Sequence, residues 1–463
     1  MQKKTQGISE WGQTPKCNPE SKKILPFLKW VFILSGLLVF VYQLFPQAPS
    51  RTLKPNEIKQ TVGAIAQIFE EKYVFADEGK KIAELLRRKL NEGEYDKINQ
   101  GPVLARKLQE DARAVSQDRH IAVYYAPDRI NTMKDPELQK KEKEDSLLKD
   151  RITNHGFEEI RILPGNIGYL KLNYFSGTKT AFETAVAAIQ FLSNSDAVII
   201  DLRWNPGGES SMVQFISSYF LGDDPELLDV FHFREGHRVE QMWSLPYVPG
   251  QKLEHTELYI LTSGLTFSAA EGMAYDLQSL KRAVVVGESS MGGAHPVDTV
   301  DVDDKFLVNI PYAYSKNPIT EDNFEGKGVK PDVEIISENA LLKAHKLALE
   351  KRIAKENNET VKAALKWAAD GIPSQTVSLS EEVKKSYAGN YDPYEIHYEN
   401  GSLYFLFGPG KLHMSPITED YFKIENVNFF RVKITQKNGS VAGIEVIYES
   451  GNLEKFVKKL NEE

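Results

Sequence analysis

The sequence predicts an α/β fold on a mainly parallel sheet, with a helical N-terminal region before it and a small β-rich module after it. Three observations carry this reading. Between residues 167 and 288, short apolar runs rich in β-formers alternate with segments of helical period. Residues 55–115 show apolar side chains at helical spacing, and residues 378–463 are short alternating strands separated by ENG, GPG, KNG and ESG turns. Strands apolar on both faces, alternating with helices, are what a parallel sheet covered by helices requires.

The elements follow in order along the chain. Residues 1–29 carry six lysines against Glu10 and Glu20, a charge of +4, which leaves −12 of the total −8 for the remainder. From Trp30 to Phe45 only Ser35 and Gln43 are hydrophilic. With Ile24–Leu28 added and Lys29 snorkelling, the run approaches the ~20 residues of a spanning helix. A cleaved signal peptide is the competing reading, but FPQAPS is a poor cleavage site. The expectation is therefore one N-terminal transmembrane helix, a single-pass membrane anchor, with the basic leader cytoplasmic and the body on the extracytoplasmic side. IKQTVGAIAQIFEEKYVF, KKIAELLRRKL and PVLARKLQEDARAV read as helices, and the charged run at 134–151 as a solvated helix or loop. An alternating strand is expected at 167–175, buried strands at 196–202 and 257–262 and a further strand at 283–288, with helices at 181–192, 212–221 and 268–280 between them. A helical stretch at 340–369 and a GIPSQ linker at 371–375 precede the final module. The division is 1–50 leader and anchor, 51–125 helical subdomain, 126–370 core, and 371–463 β-rich module.

Composition limits the function. Hydrophobic residues are 41% and charged residues 26%, which excludes a mostly disordered, collagen-like or multi-span chain. The acidic body argues against nucleic acid as a partner. Cys17 is the single cysteine, so neither an internal disulfide nor a cysteine-based zinc site can form.

In open α/β sheets chemistry gathers at the carboxyl ends of strands. Three strand ends stand out here: DLRWNPGG (201–208), TSGLTFSAAEG (262–272) and GESSMGGAHP (287–296). The Pro-Gly-Gly turn frees backbone amides for close approach, and brings Arg203, Asn205 and Gly207 into consideration as substrate or loop residues. Ser268 opens a helix, where its hydroxyl meets the positive end of the dipole; the alternative is a plain N-cap. The third loop, holding Glu288 and His295, lacks a P-loop pattern. A serine nucleophile needs a base. Of nine histidines, His120 at the mouth of a strand and His295 in the Gly-rich loop are the candidates. Glu325, between Phe324 and Gly326, could orient a base.

DRH (118–120), GYLKLNYF (168–175), DLRWNPGG, TFSAAEG, KRAVVVGESSMGGAHP (281–296) and FEGKGVKPDVEI (324–335) occur in this order. Together they resemble the tail-specific, or C-terminal-processing, serine peptidase superfamily, over roughly residues 55–350. The interphotoreceptor-retinoid-binding-protein-like branch is most similar, and with it the core of tricorn protease. The resemblance implies a crotonase-like ββα core with a helical N-terminal subdomain. It implies polypeptide substrates and acyl-enzyme chemistry, with Ser268 as nucleophile, His120 as base, Glu325 orienting it, and the Gly208 and Ala269 amides as oxyanion hole. No metal or organic cofactor is implied. The chain departs from the Ser-Lys members, because Gly293 and no lysine occupies the MGGAHP neighbourhood. It also lacks room for a PDZ domain between His120 and Ile167, and it has Arg119 where the tricorn pattern has a serine. The same branch includes retinoid- and fatty-acid-binding modules, so a non-catalytic carrier of hydrophobic ligands is the alternative.

Overall fold

The computed structural model describes residues 52–459. Helices α1 (Pro55–Lys72), α2 (Ala76–Asn91) and α3 (Gly101–Ser116) lead into strand β1 (Ala122–Tyr125). Helix α1 buries Ile58, Val62, Ile65, Ala66 and Phe69, the three- and four-residue spacing of a single apolar face. Helices α4 (Pro127–Lys134) and α5 (Pro136–Ile152) carry the charged run, and α5 buries no residue.

The core then alternates as expected: β2 (Phe157–Leu163), β3 (Ile167–Leu172), α6 (Lys179–Phe191), β4 (Ala197–Asp201), α7 (Ser210–Tyr219), β5 (Leu227–Phe233), β6 (Val239–Trp243), β7 (Glu257–Thr262), α8 (Ala269–Ser279) and β8 (Ala283–Gly287). Strands β9 (Val297–Asp301), β10 (Phe306–Pro311), β11 (Ala313–Lys316) and β12 (Val333–Glu334) precede the long helices α9 (Ser337–Lys355) and α10 (Glu359–Asp370).

The central sheet has the order β12-β8-β7-β4-β3-β2, parallel except for β2. In register, Val198 faces Leu258 and Ile200 faces Ile260 across β4 and β7. Strand β4 is buried throughout because both faces are covered. Val198 and Ile200 pack in a cluster with residues of α6, α7 and α8, whereas Ala197 and Ile199 pack with residues of α9 and α10.

The helical N-terminal region also draws on residues far downstream. Strand β1 pairs antiparallel with β10, and Phe306, Val308 and Ile310 join the core that α1–α3 build. Residues far downstream therefore complete this subdomain.

Helix α11 (Glu381–Tyr387) opens the last module, followed by β13 (Gly389–Tyr391), β14 (Tyr394–Glu399), β15 (Ser402–Phe407), β16 (Gly410–Pro416), β17 (Tyr421–Ile424), β18 (Val427–Lys437), β19 (Ser440–Tyr448) and β20 (Leu453–Val457). The eight strands pair in sequence order, and Lys459 N–H donates to the Asn390 carbonyl, bringing the chain end back to β13 in a barrel-like sheet. Asn400-Gly401 and Asn438-Gly439 all take positive φ, as tight hairpin turns demand. The module has its own core, including Tyr387, Tyr391, Phe405, Phe422 and Val432.

The expected transmembrane helix is corrected. Among the described residues no helix is long and apolar enough to cross a membrane. The apolar run at 24–45 on which the anchor rested lies outside the described residues, so the structure supports neither the single-pass anchor nor the extracytoplasmic placement that depended on it.

Candidate active site

Three loops converge at the carboxyl ends of β4, β7 and β8. After β4, the Asn205 side chain donates to the Leu172 carbonyl at 3.0 Å and accepts from Gly207 N–H at 2.8 Å. Its own carbonyl accepts from Phe267 N–H at 3.0 Å, which latches this loop to the Ser268 turn. Arg203 pairs with Asp201 at 2.6 Å and donates to the Ser337 carbonyl at 2.6 Å. Arg203 and Asn205, expected as substrate or loop residues, thus brace the loop. Glu288 accepts from Ser337 N–H at 3.3 Å and does not line the cavity described below.

Ser268 stands at φ 54°, ψ −125°, immediately before α8. That conformation is sparsely populated for a residue with a side chain and persists only where its surroundings impose it. Here Glu271 does so. Its fully buried carboxylate accepts from Ser268 N–H at 2.8 Å, Gly293 N–H at 2.8 Å, Gly292 N–H at 2.5 Å and the Ser290 hydroxyl at 2.5 Å. Burial pushes the Glu271 carboxyl up to about 7, against these four donors. The residue ties the serine turn to the Gly-rich loop. The S-x-x-E spacing of a capping box was the sequence signal for it.

Gly207 lies against the serine. A Cβ there, at φ +105°, would stand 2.9 Å from both Ser268 Cβ and the Ala269 nitrogen. The isolated bridge to Phe175 uses the Gly207 carbonyl and Glu209 N–H, leaving Gly208 N–H outside that ladder. Ala269 N–H belongs to the first turn of α8, where amides lack intrahelical acceptors.

His120 reaches the site from the end of α3. Its ring lies tilted against Phe267, the residue before the serine, with centroids 4.6 Å apart, and Gly293 leaves room for it: a Cβ there would be 2.7 Å from His120 Cε1. His120, Ser268, Ala269, Gly208 and His295 all line one cavity of about 640 Å³. Its walls also carry Phe231, Met242, Tyr312 and Phe324. Burial lowers the His120 pKa to about 4, opposed by the Asp118 charge, and its Nδ1 is buried without a hydrogen-bond partner.

The acids around His120 are arranged differently from the expectation. No hydrogen bond joins Glu325 to His120. Glu325 accepts from Ala294 N–H at 2.6 Å and lies 3.6 Å from His295 Nδ1, because its loop packs against the Gly-rich loop. Asp118, which sequence reading passed over, is the nearer acid: it accepts from His120 N–H at 2.9 Å and bonds His295 Nδ1 at 2.6 Å and the Tyr73 hydroxyl at 3.1 Å. Nothing local in the sequence signals these partners, which come from distant segments. Burial alone would lower the His295 pKa, but the Asp118 bond and charge raise it overall. The two histidines are therefore biased in opposite directions, His120 toward the neutral base and His295 toward the cation. Among the described residues, Asp118, His295 and Glu325 place potential ligand atoms within 4.8 Å of one another. Within that grouping His295 Nδ1 bonds Asp118 at 2.6 Å and lies 3.6 Å from Glu325.

Ser268, on a strained turn at a helix start of an α/β protein, thus shares one cavity with His120, Gly208 and Ala269, the residue types a serine hydrolase uses. Sequence comparison gives the family. The model of peptidase family S41 matches residues 166–335, and that of the N-terminal domain of peptidase S41 in eukaryotic IRBP matches residues 53–155. Over these two stretches the chain is similar to peptidase family S41. It is 29% identical over 167 residues to a carboxyl-terminal-processing protease of Picosynechococcus sp., covering 36% of this chain and 38% of that one. It is 25% identical over 175 residues to a carboxy-terminal-processing protease of Bartonella bacilliformis, covering 37% and 39%. The chain thus spans about two fifths of the length of these relatives. The solved structure of a photosystem II D1 C-terminal processing protease is 25% identical with a TM-score of 0.32, covering 37% of this chain and 43% of that one.

Proposed function

We propose that the chain is a serine peptidase that cleaves polypeptides through an acyl-enzyme formed on Ser268. The observation that carries this reading is that Ser268, His120, Gly208 and Ala269 line one cavity. Ser268 Oγ attacks the scissile carbonyl. His120 takes the hydroxyl proton and returns it to the leaving amine; water then attacks the acyl-serine with the same histidine as base. The developing oxyanion is met by the Gly208 and Ala269 amides, whose positions are fixed before substrate arrives. Asp118 supports the histidine by holding its backbone and by its charge. Glu325 acts on the same loop: the Arg119 amide and Ala294 amide both stabilise its carboxylate against burial and the Asp118 charge, which together raise its pKa.

The test is hydrolysis of an unfolded protein such as casein by the purified chain and its Ser268→Ala and His120→Ala variants. Loss of turnover in both, with unchanged unfolding curves, is expected. Wild-type turnover in Ser268→Ala overturns the assignment.

A further inference from the structure

A second cavity, of about 540 Å³, lies between the α/β core and the β-rich module. It touches Asn166 and Asp196, at the amino ends of β3 and β4, and so sits at the opposite end of the sheet from Ser268. The two cavities share no lining residue.

Four cationic side chains line it: Arg161, Arg352, Lys423 and Arg431. Two of them are committed. Arg161 pairs with Glu159 at 2.9 Å, and Arg352 with Glu356 at 2.6 Å and Asp196 at 3.4 Å. Among the described residues, Lys423 and Arg431 form no ion pair, and the remaining acid of the wall, Glu449, is exposed.

Arg431 is 5% exposed. Its guanidinium lies 3.7 Å from the Trp367 ring centroid and Nη2 donates to the Trp367 carbonyl, but Nη1 is buried with no partner. A guanidinium does not lose its proton in a protein, so the buried, unpaired end carries an uncompensated cost. Lys423 stands in the same field. Burial, opposed by the Glu425 charge and aided by the charges of Arg161 and Arg431, holds its ammonium below its ordinary pKa, although the residue as a whole is exposed. The rest of the wall includes Leu365, Ile372 and Val427.

We propose that this cavity binds the carboxylate of an organic anion with an apolar body, with Arg431 Nη1 and Lys423 Nζ as its donors. The unpartnered Nη1 amino group and one ammonium match the two oxygens of a carboxylate, and charge-assisted bonds repay the buried guanidinium. The volume, within the usual range for small-molecule sites, and the apolar wall leave space for more than a bare ion. The carboxylate belongs either to a free acid or to a polypeptide C-terminus.

Calorimetric titration of the purified full chain separates these. The probes are hexanoate, hexanamide, inorganic phosphate, and acetyl-trileucine as free acid and as amide, with the peptides added to the Ser268→Ala variant. Each free acid that binds should exceed its amide by at least about tenfold, the low end for hydrogen bonds to charged groups. Lys423→Gln and Arg431→Gln should each remove about tenfold. Binding of hexanoate but not of the peptide acid assigns a free acid; comparable peptide-acid binding assigns a chain terminus. Equal binding of acid and amide, tighter binding of phosphate, or unchanged affinity in Lys423→Gln overturns the proposal. Among the described residues Lys423 Nζ makes no hydrogen bond or ion pair, so that variant decides the matter even where Arg431→Gln fails to fold. The Ser268 cavity is untouched, so failure here leaves the peptidase reading standing.

Discussion

Gly207→Ala isolates the geometry on which catalysis depends. The added Cβ would lie 2.9 Å from Ser268 Cβ, 2.9 Å from the Ala269 nitrogen and 3.0 Å from the Phe267 carbonyl oxygen. Two of these three are backbone atoms, so no flexible side chain can swing aside. The φ of +105° adds strain that an alanine cannot relax in place. Together these should cost about 2–4 kcal/mol of stability, the upper range for overpacking plus an unfavourable backbone conformation. The larger effect is on chemistry. To relieve the contact, Ser268 and Ala269 must move away from the Gly208 amide, spoiling the two-donor pocket. Loss of one such donor lowers kcat by about 10²–10³-fold. The assay is the rate of reaction with a fluorophosphonate, together with urea unfolding of the same samples. Gly63→Ala is the control: its Cβ meets nothing within 4 Å on helix α1, and it should gain about 1 kcal/mol at unchanged reactivity. Wild-type fluorophosphonate reactivity in Gly207→Ala would refute the reasoning.

Other outcomes follow from the same geometry. Because burial lowers the His120 pKa to about 4, kcat/KM should hold its plateau to near that pH, and an acid limb near the ordinary 6.5 would contradict His120 as base. Glu271→Ala strands the Ser268, Gly292 and Gly293 amides and should cost about 3 kcal/mol or more in urea unfolding, as one or more buried donors lose their acceptor; a change within experimental error would contradict its clamping role. Burial and the Asp229 charge raise the Asp276 pKa in the folded protein, so its stabilising contribution is complete below the unfolded value near 3.8 and is lost as pH rises through the folded value. Asp276→Asn should therefore gain stability relative to wild type between pH 5 and pH 8, and an equal difference at both would contradict the shift.

The strands of the central sheet were legible because each is a short apolar run covered on both faces, a pattern that needs no knowledge of its partners. The hairpin module was legible for a similar local reason, its Asn-Gly turns. What sequence could not give is pairing over distance. Nothing in AVYY at 122–125 announces its partner at 306–311. The site divides along the same line. Ser268 and His120 stood on local motifs, and they share a cavity. The structure places Glu325 beside His295, in an Asp118–His295–Glu325 cluster that joins three separate segments and so had no local signal. Glu271 had a local signal in its capping-box spacing, but its reach to Gly292 and Gly293 depends on the fold of the Gly-rich loop.

Identification of the residue that a fluorophosphonate labels is the most direct test of the account. The purified chain is treated with the probe, digested and analysed by mass spectrometry, alongside Ser268→Ala. The account predicts a single adduct on the peptide containing Ser268, absent from the variant. An adduct at another serine, or labelling of Ser268→Ala at the wild-type rate, would contradict it.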